Sequence, residues 1–213
     1  MRNMMIRKTL LGAFSVSLAL FNAETAQAIL VAFDPGEVLV GVGAPVEVAL
    51  TISGLGDFEA PSLGAFDLDV SFDPMVLELD SVSYGDPVVG DQLDILGLGF
   101  PLSITTPFVG GVNLFELSFN TVSELNLLQT GSFTLARLSF ITRMAGTSSL
   151  DISILALADA EGAPLSADAA SGRISAISAV GEPGTLVLLA VALGAASRVG
   201  LRSRRRATPR AGW

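Results

Sequence analysis

From Phe66 to Phe72 every second residue is apolar: Phe66, Leu68, Val70 and Phe72 alternate with Asp67, Asp69 and Ser71. A period of two sends alternate side chains to opposite faces of an extended strand, whereas a helix would scatter them around its axis. The same pattern recurs. Val46, Val48, Leu50 and Ile52 alternate with Glu47, Ala49 and Thr51, and Phe115, Leu117 and Phe119 alternate with Glu116 and Ser118. Ile152 with Ile154, and then Ile174, mark two further strands. In each strand the apolar set is expected to face the core. Turn formers separate the runs at Asp34-Pro35-Gly36, Gly54 to Asp57, Asp73-Pro74, Gly85-Asp86-Pro87, Gly110-Gly111 and Glu161-Gly162. These residues supply the fixed or positive φ that tight turns require. No amphipathic helix of useful length is expected. Many short strands with regular turns predict an all-β fold, an antiparallel sandwich of two sheets.

Composition removes much chemistry. The 213 residues include no Cys and no His, so disulfides, thiol nucleophiles and zinc-thiolate sites are excluded, together with the commonest general base. Residues 29–180 hold 19 Asp and Glu against only Arg137, Arg143 and Arg173, a net −16. A body this acidic repels phosphate backbones and argues against a nucleic-acid partner. Acidity suits a solvated extracellular surface, and it can also attract calcium.

Asp67 and Asp69 share the wet face of one strand, about 6.5–7 Å apart, with Asp73 at its end. Three readings are open: a polar face that keeps the strand soluble, calcium ligands drawn from Asp67, Asp69 and Asp73, or a hydrolase carboxylate pair. Asp73-Pro74 is also a natural turn starter. Asp159-Ala160-Glu161-Gly162 reads as a plain turn rather than part of a calcium loop, and Gly97-Leu98-Gly99 opens no helix that could cradle phosphate. Tyr84 is the single Tyr, so an aromatic sugar-stacking face is not expected. The apolar segment from Ile95 to Pro107, with Phe100 and Phe108, reads as a loop or irregular strand, with core favoured over an exposed contact patch.

The two ends read as addresses. Arg2, Arg7 and Lys8 precede an apolar run from Leu10 to Phe21, followed by Ala26-Gln27-Ala28. This is the pattern of a secretory signal peptide, with cleavage expected after Ala28. At the other end, Glu182-Pro183 is followed by an apolar segment from Thr185 and an arginine cluster at Arg202, Arg204, Arg205 and Arg206. Residues 184–201 would span about 27 Å as a helix, enough for a transient inner-membrane anchor with its basic end in the cytoplasm. This order resembles a PEP-CTERM sorting signal, although Gly181 stands where that pattern has its first proline. The resemblance implies processing by an exosortase, a membrane transpeptidase-like enzyme of Gram-negative bacteria that make exopolysaccharide. Glu182 and Pro183 would be the recognition element, the transmembrane helix would run from about 185 to 201, and Arg202 to Arg206 would be the stop.

The middle resembles a cohesin-like domain. The resemblance rests on the stretches VEVALTISGLGDF and LGAFDLDVSFDPMVLELDSVSYGD, on GSFTLARLSF (Gly131 to Phe140), and on the turn at Asp159 to Gly162. It implies a jelly-roll β-sandwich over residues 29–178, between a signal peptide at 1–28 and a sorting segment at 179–213. It further implies a non-enzymatic, surface- or matrix-associated interaction module with no resident cofactor. Its partner would be a protein, as cohesins proper bind dockerins through one sheet face, or alternatively an extracellular polysaccharide, with or without calcium.

Overall fold

A computed structural model describes residues 28–99 and 101–178. Residues 1–27, which hold all of the expected signal peptide but Ala28, and the expected sorting segment at 179–213 lie outside the described residues, and with them Ala26, Glu182, Pro183, Arg202, Arg204, Arg205 and Arg206. Among the described residues no helix is long and apolar enough to cross a membrane.

Among the described residues eleven strands and one short helix follow in order: β1 (Ile29–Asp34), β2 (Glu37–Gly41), β3 (Pro45–Ser53), β4 (Leu63–Ser71), β5 (Leu77–Tyr84), β6 (Leu102–Phe108), β7 (Gly111–Leu117), α1 (Val122–Leu128), β8 (Ser132–Thr142), β9 (Gly146–Asp159), β10 (Ala167–Ala170) and β11 (Gly172–Ile177). They build two packed sheets, ordered β10-β1-β3-β8-β5 and β2-β11-β9-β4-β7-β6. The expected sandwich is therefore observed. Two pairs depart from a wholly antiparallel scheme: β1 runs parallel to β10, and β2 parallel to β11. The chain crosses from one sheet to the other at Asp34–Glu37 and again between β10 and β11, so that side of the sandwich is closed by crossing strands. Gly172 allows the approach there, because a Cβ would stand 2.9 Å from the Phe33 ring. The opposite side leaves β5 and β6 as free edges.

The core phases of β3 and β4 are those the sequence predicts. Val48, Leu50, Ile52, Phe66, Leu68 and Val70 are buried, and they meet Leu138 and Phe140 of β8. Each such side chain contributes roughly 1.5–3 kcal/mol of burial, which offsets the entropy of ordering the chain. Many of the aspartates serve as turn caps. Asp73, Asp86, Asp91, Asp94 and Asp159 each accept one or more backbone N–H groups two to five residues ahead. The turn reading of Asp73 and Asp159 holds.

Two expectations are corrected. First, β7 has the opposite phase: Val112, Leu114 and Glu116 face inward, while Phe115 and Leu117 are only partly buried and Phe119 is 64% exposed. The ladder dictates this. Directly opposed residues in an antiparallel pair share a face, and Glu116 is paired with the buried Phe66, Leu114 with Leu68 and Val112 with Val70. Second, the described residues of Ile95 to Pro107, which do not include Phe100, are not core. They include most of β6, an edge strand exposed at every position. As expected, no amphipathic helix of useful length is found among the described residues; α1 is held by a capping box in which Thr121 and Glu124 each bond the other's backbone N–H. With seven residues and one buried side chain, Leu125, it is too short to show a periodicity.

Candidate interaction face

The registers of β9, β4, β7 and β6 arrange their outward side chains in rows across the second sheet. One row is Ile104, Phe115, Asp67 and Ala156; the next is Thr106, Asn113, Asp69 and Ser153. Toward the other end Leu102, Leu117, Ala65 and Ala158 form a third. The face is therefore divided. Its β6–β7 half carries Leu102, Ile104, Phe115 and Leu117, with Leu102 and Ile104 each 44% exposed. Its β4–β9 half carries Asp67, Asp69 and Asp151, with Leu155 set in a bulge of β9 and 56% exposed.

Asp67 and Asp69 point outward as the alternation predicts. What the sequence does not reveal is Asn113, whose Nδ2 donates to Asp67 Oδ1 at 2.6 Å and to Asp69 Oδ1 at 2.9 Å. The amide orients both carboxylates without neutralising either. Asp151 accepts from the hydroxyls of Ser149 and Ser171 at 2.8 and 2.9 Å, again neutral partners. The three described arginines are engaged elsewhere. Arg173, on the same face, bonds Glu37 at 2.7 Å; Arg137 bonds Glu47 and Asp86; Arg143 bonds Glu78. Asp73 does not complete a site with the pair. Its carboxylate caps its own turn, and among the described residues no three acidic side chains are grouped to hold a metal ion.

The outer face of the other sheet is different in kind. Glu47, Arg137 and Asp86 form an ion-paired network there, and Arg137 together with the N–H groups of Val89 and Val88 lowers the Asp86 carboxyl to about 2. Of the exposed large apolar side chains that strands carry, most lie on the second sheet: Leu39, Leu102, Ile104, Phe108, Leu155 and Ile177, against Leu30 and Ile141 on the first. Between the free edges, Tyr84 of β5 donates to the Ile104 carbonyl at 2.7 Å and contacts Thr105 Oγ1, tying β5 to β6. Beyond this tie the edges part into a groove of about 580 Å³ lined by Phe72, Leu77, Leu79, Val82, Pro107 and Phe108.

The class these observations define is a two-sheet β-sandwich with one polar outer face and one face divided between apolar and acidic halves. Within that class the chain has the cohesin-like fold. The solution structure of CaCohA2 from Clostridium acetobutylicum aligns with a TM-score of 0.54 at 20% identity, over 71% of this chain and 92% of that one. A non-cellulosomal cohesin from the hyperthermophilic archaeon Archaeoglobus fulgidus aligns at 0.52 and 16% identity, over 72% and 93%. The cohesin chain of the Clostridium thermocellum Coh-OlpA-Doc918 complex, a type I cohesin–dockerin complex, aligns at 0.55 and 13%, over 70% and 99%. No protein-family model and no curated protein sequence matches the chain.

Proposed function

We propose that this chain is an exported, non-enzymatic interaction module that binds a protein partner through the outer face of β9, β4, β7 and β6. The observation that carries this reading is the conjunction, on one sheet face, of exposed Leu102 and Ile104 and partly buried Phe115 and Leu117 with three carboxylates bonded only to neutral groups. Exposed apolar area rimmed by polar groups is characteristic of docking surfaces. Carboxylates without cations favour a partner that brings its own. A fold alone does not assign a function, but a solved structure of this fold is in complex with a dockerin, which supports a protein rather than a small molecule as the partner class.

The route outward is read from sequence: a leader removed after Ala28, a sandwich over residues 29–178, and a tail over 179–213 processed by an exosortase-type membrane enzyme at Glu182-Pro183. Intact mass from the host's membrane and culture fractions tests it; a product ending at Trp213 would contradict processing. A photo-crosslinking residue placed at Ile104, and separately at Ser139 on the opposite sheet, tests the binding face in the native host. A discrete protein adduct at position 104 and not at 139 is expected. Retention on exopolysaccharide with no protein adduct at either position would replace this reading with saccharide recognition.

A further inference from the structure

Glu116 is the most unusual side chain in the sandwich. Its position in the β4–β7 ladder forces a carboxyl group into the interior, where the residue is 0% exposed. Oε1 accepts from Ser103 Oγ of β6 at 2.6 Å. Oε2 is buried with no donor to satisfy it. An anionic oxygen left in that state is strongly disfavoured. A protonated one is not, provided it has an acceptor within reach, and the Asp91 carboxyl lies against Glu116.

Asp91 belongs to the connection between β5 and β6. Its carboxylate accepts the Leu93 N–H at 2.9 Å, and its Cα lies where a Cβ on Gly85 would come within 2.7 Å, so the connection folds back closely upon its own start. Gly85 has φ +70°, a conformation that a side chain would also disfavour. The charged and titratable groups facing Glu116 are Asp91 and Asp94 from the connection and Tyr84 from β5. The facing group from β6 is the neutral Ser103, and β4 presents Phe66. Arg137, the basic group that touches the connection, is bonded to Asp86 and Glu47.

We propose that one proton shared between the carboxyl groups of Glu116 and Asp91 latches the β5–β6 connection to the sandwich, and that rising pH opens this connection. The proton resides on Glu116 Oε2, which donates to the Asp91 carboxylate. Burial, with the negative charges of Asp91 and Asp94 adding to it against the opposing Ser103 bond, lifts the Glu116 carboxyl to about 8. Burial also raises Asp91. Because the latched form holds a proton that an opened connection would release, the latch is complete below the ordinary carboxylate range and is lost as pH rises through about 8. One proton difference raises the opening constant about tenfold per pH unit within that window.

Amide hydrogen exchange of residues 86–98, corrected for the intrinsic pH dependence of exchange, tests the latch. In the wild-type protein the opening constant should rise about tenfold per unit from pH 5.5 to 7.5 and level off above about 8. In Glu116→Gln the carboxamide can donate to Asp91 and accept from Ser103 at every pH, so the slope should vanish. A wild-type opening constant that is flat over this range, or a Glu116→Gln protein with the wild-type slope, would overturn the latch. Should that variant fail to fold, the wild-type Glu116 carboxyl ¹³C resonance decides. A midpoint several units above the ordinary carboxylate value supports the latch, and a midpoint at the ordinary value refutes it.

Discussion

Replacing two neighbours on β7, Leu114 and Phe115, separates the two phases this strand could adopt. Leu114 is fully buried opposite Leu68, so Leu114→Ala removes a packed side chain and leaves a cavity. Leu-to-Ala changes in such positions cost about 2–5 kcal/mol, and about 3 is expected here, because the surrounding ladder of β4 restrains collapse. With a urea m-value of about 2 kcal/mol/M, the unfolding midpoint should fall by about 1.5 M. Phe115 lies on the outer face between Ile104 and Asp67, where truncation loses cross-strand contacts but opens no cavity. Such pairs contribute roughly 0.2–1 kcal/mol, so Phe115→Ala should move the midpoint by about 0.5 M or less. Far-ultraviolet circular dichroism and Tyr84 fluorescence should give coincident transitions, since Tyr84 is the single Tyr and packs 6.3 Å from Phe66. If Phe115→Ala were the more damaging of the two, β7 would face the other way and the divided outer face would not exist.

Other outcomes follow from the same contacts. The buried Gln129 amide accepts the Leu63 N–H at 2.6 Å and donates to the Leu63 and Gln92 carbonyls at 3.0 Å each, joining the end of α1 to β4 and to the β5–β6 connection. Gln129→Leu should leave three buried backbone groups unpaired and cost about 3 kcal/mol or more in urea unfolding; a loss below about 1 kcal/mol would show that the amide is dispensable. Asp86 is held at about 2 by Arg137 and two backbone N–H groups. Its depressed value means that its contribution to stability is present above the ordinary Asp range and is lost as pH falls through about 2. Asp86→Asn should therefore flatten the loss of stability between pH 4 and 2, and an unchanged acid profile would contradict that assignment.

Legibility in the sequence tracks how unambiguous each pattern is. β3 and the Phe66–Phe72 run of β4 carry their large apolar residues on one phase, so their inner faces and the outward placement of Asp67 and Asp69 follow directly from period two. β7 carries apolar residues on both phases, at Val112 and Leu114 and again at Phe115 and Leu117. A charged Glu116 then points the simple reading the wrong way, because only the pairing with β4 decides the face. β6 misleads for a related reason: an uncharged, apolar-rich stretch looks like core until its place at a sheet edge is known. The Thr121–Glu124 spacing does announce a helix start, although two turns give it no periodicity to follow. Asn113 between the two aspartates, 46 and 44 residues away, and Asp91 beside Glu116 are tertiary contacts that no local pattern encodes.

The central claim, recognition through the divided face, is tested most directly by the dissociation constant of the crosslinked protein partner for Phe115→Ser and Asp69→Ala, with Glu47→Ala on the opposite sheet as the control. Loss of an anchoring aromatic contact commonly costs about 1–2 kcal/mol or more, so at least about fivefold weaker binding is expected for Phe115→Ser, with a weaker salt-dependent loss for Asp69→Ala and none for Glu47→Ala. Unchanged affinity in both face variants, or a loss confined to Glu47→Ala, would contradict the claim and move the binding surface to the other sheet or the groove between β5 and β6.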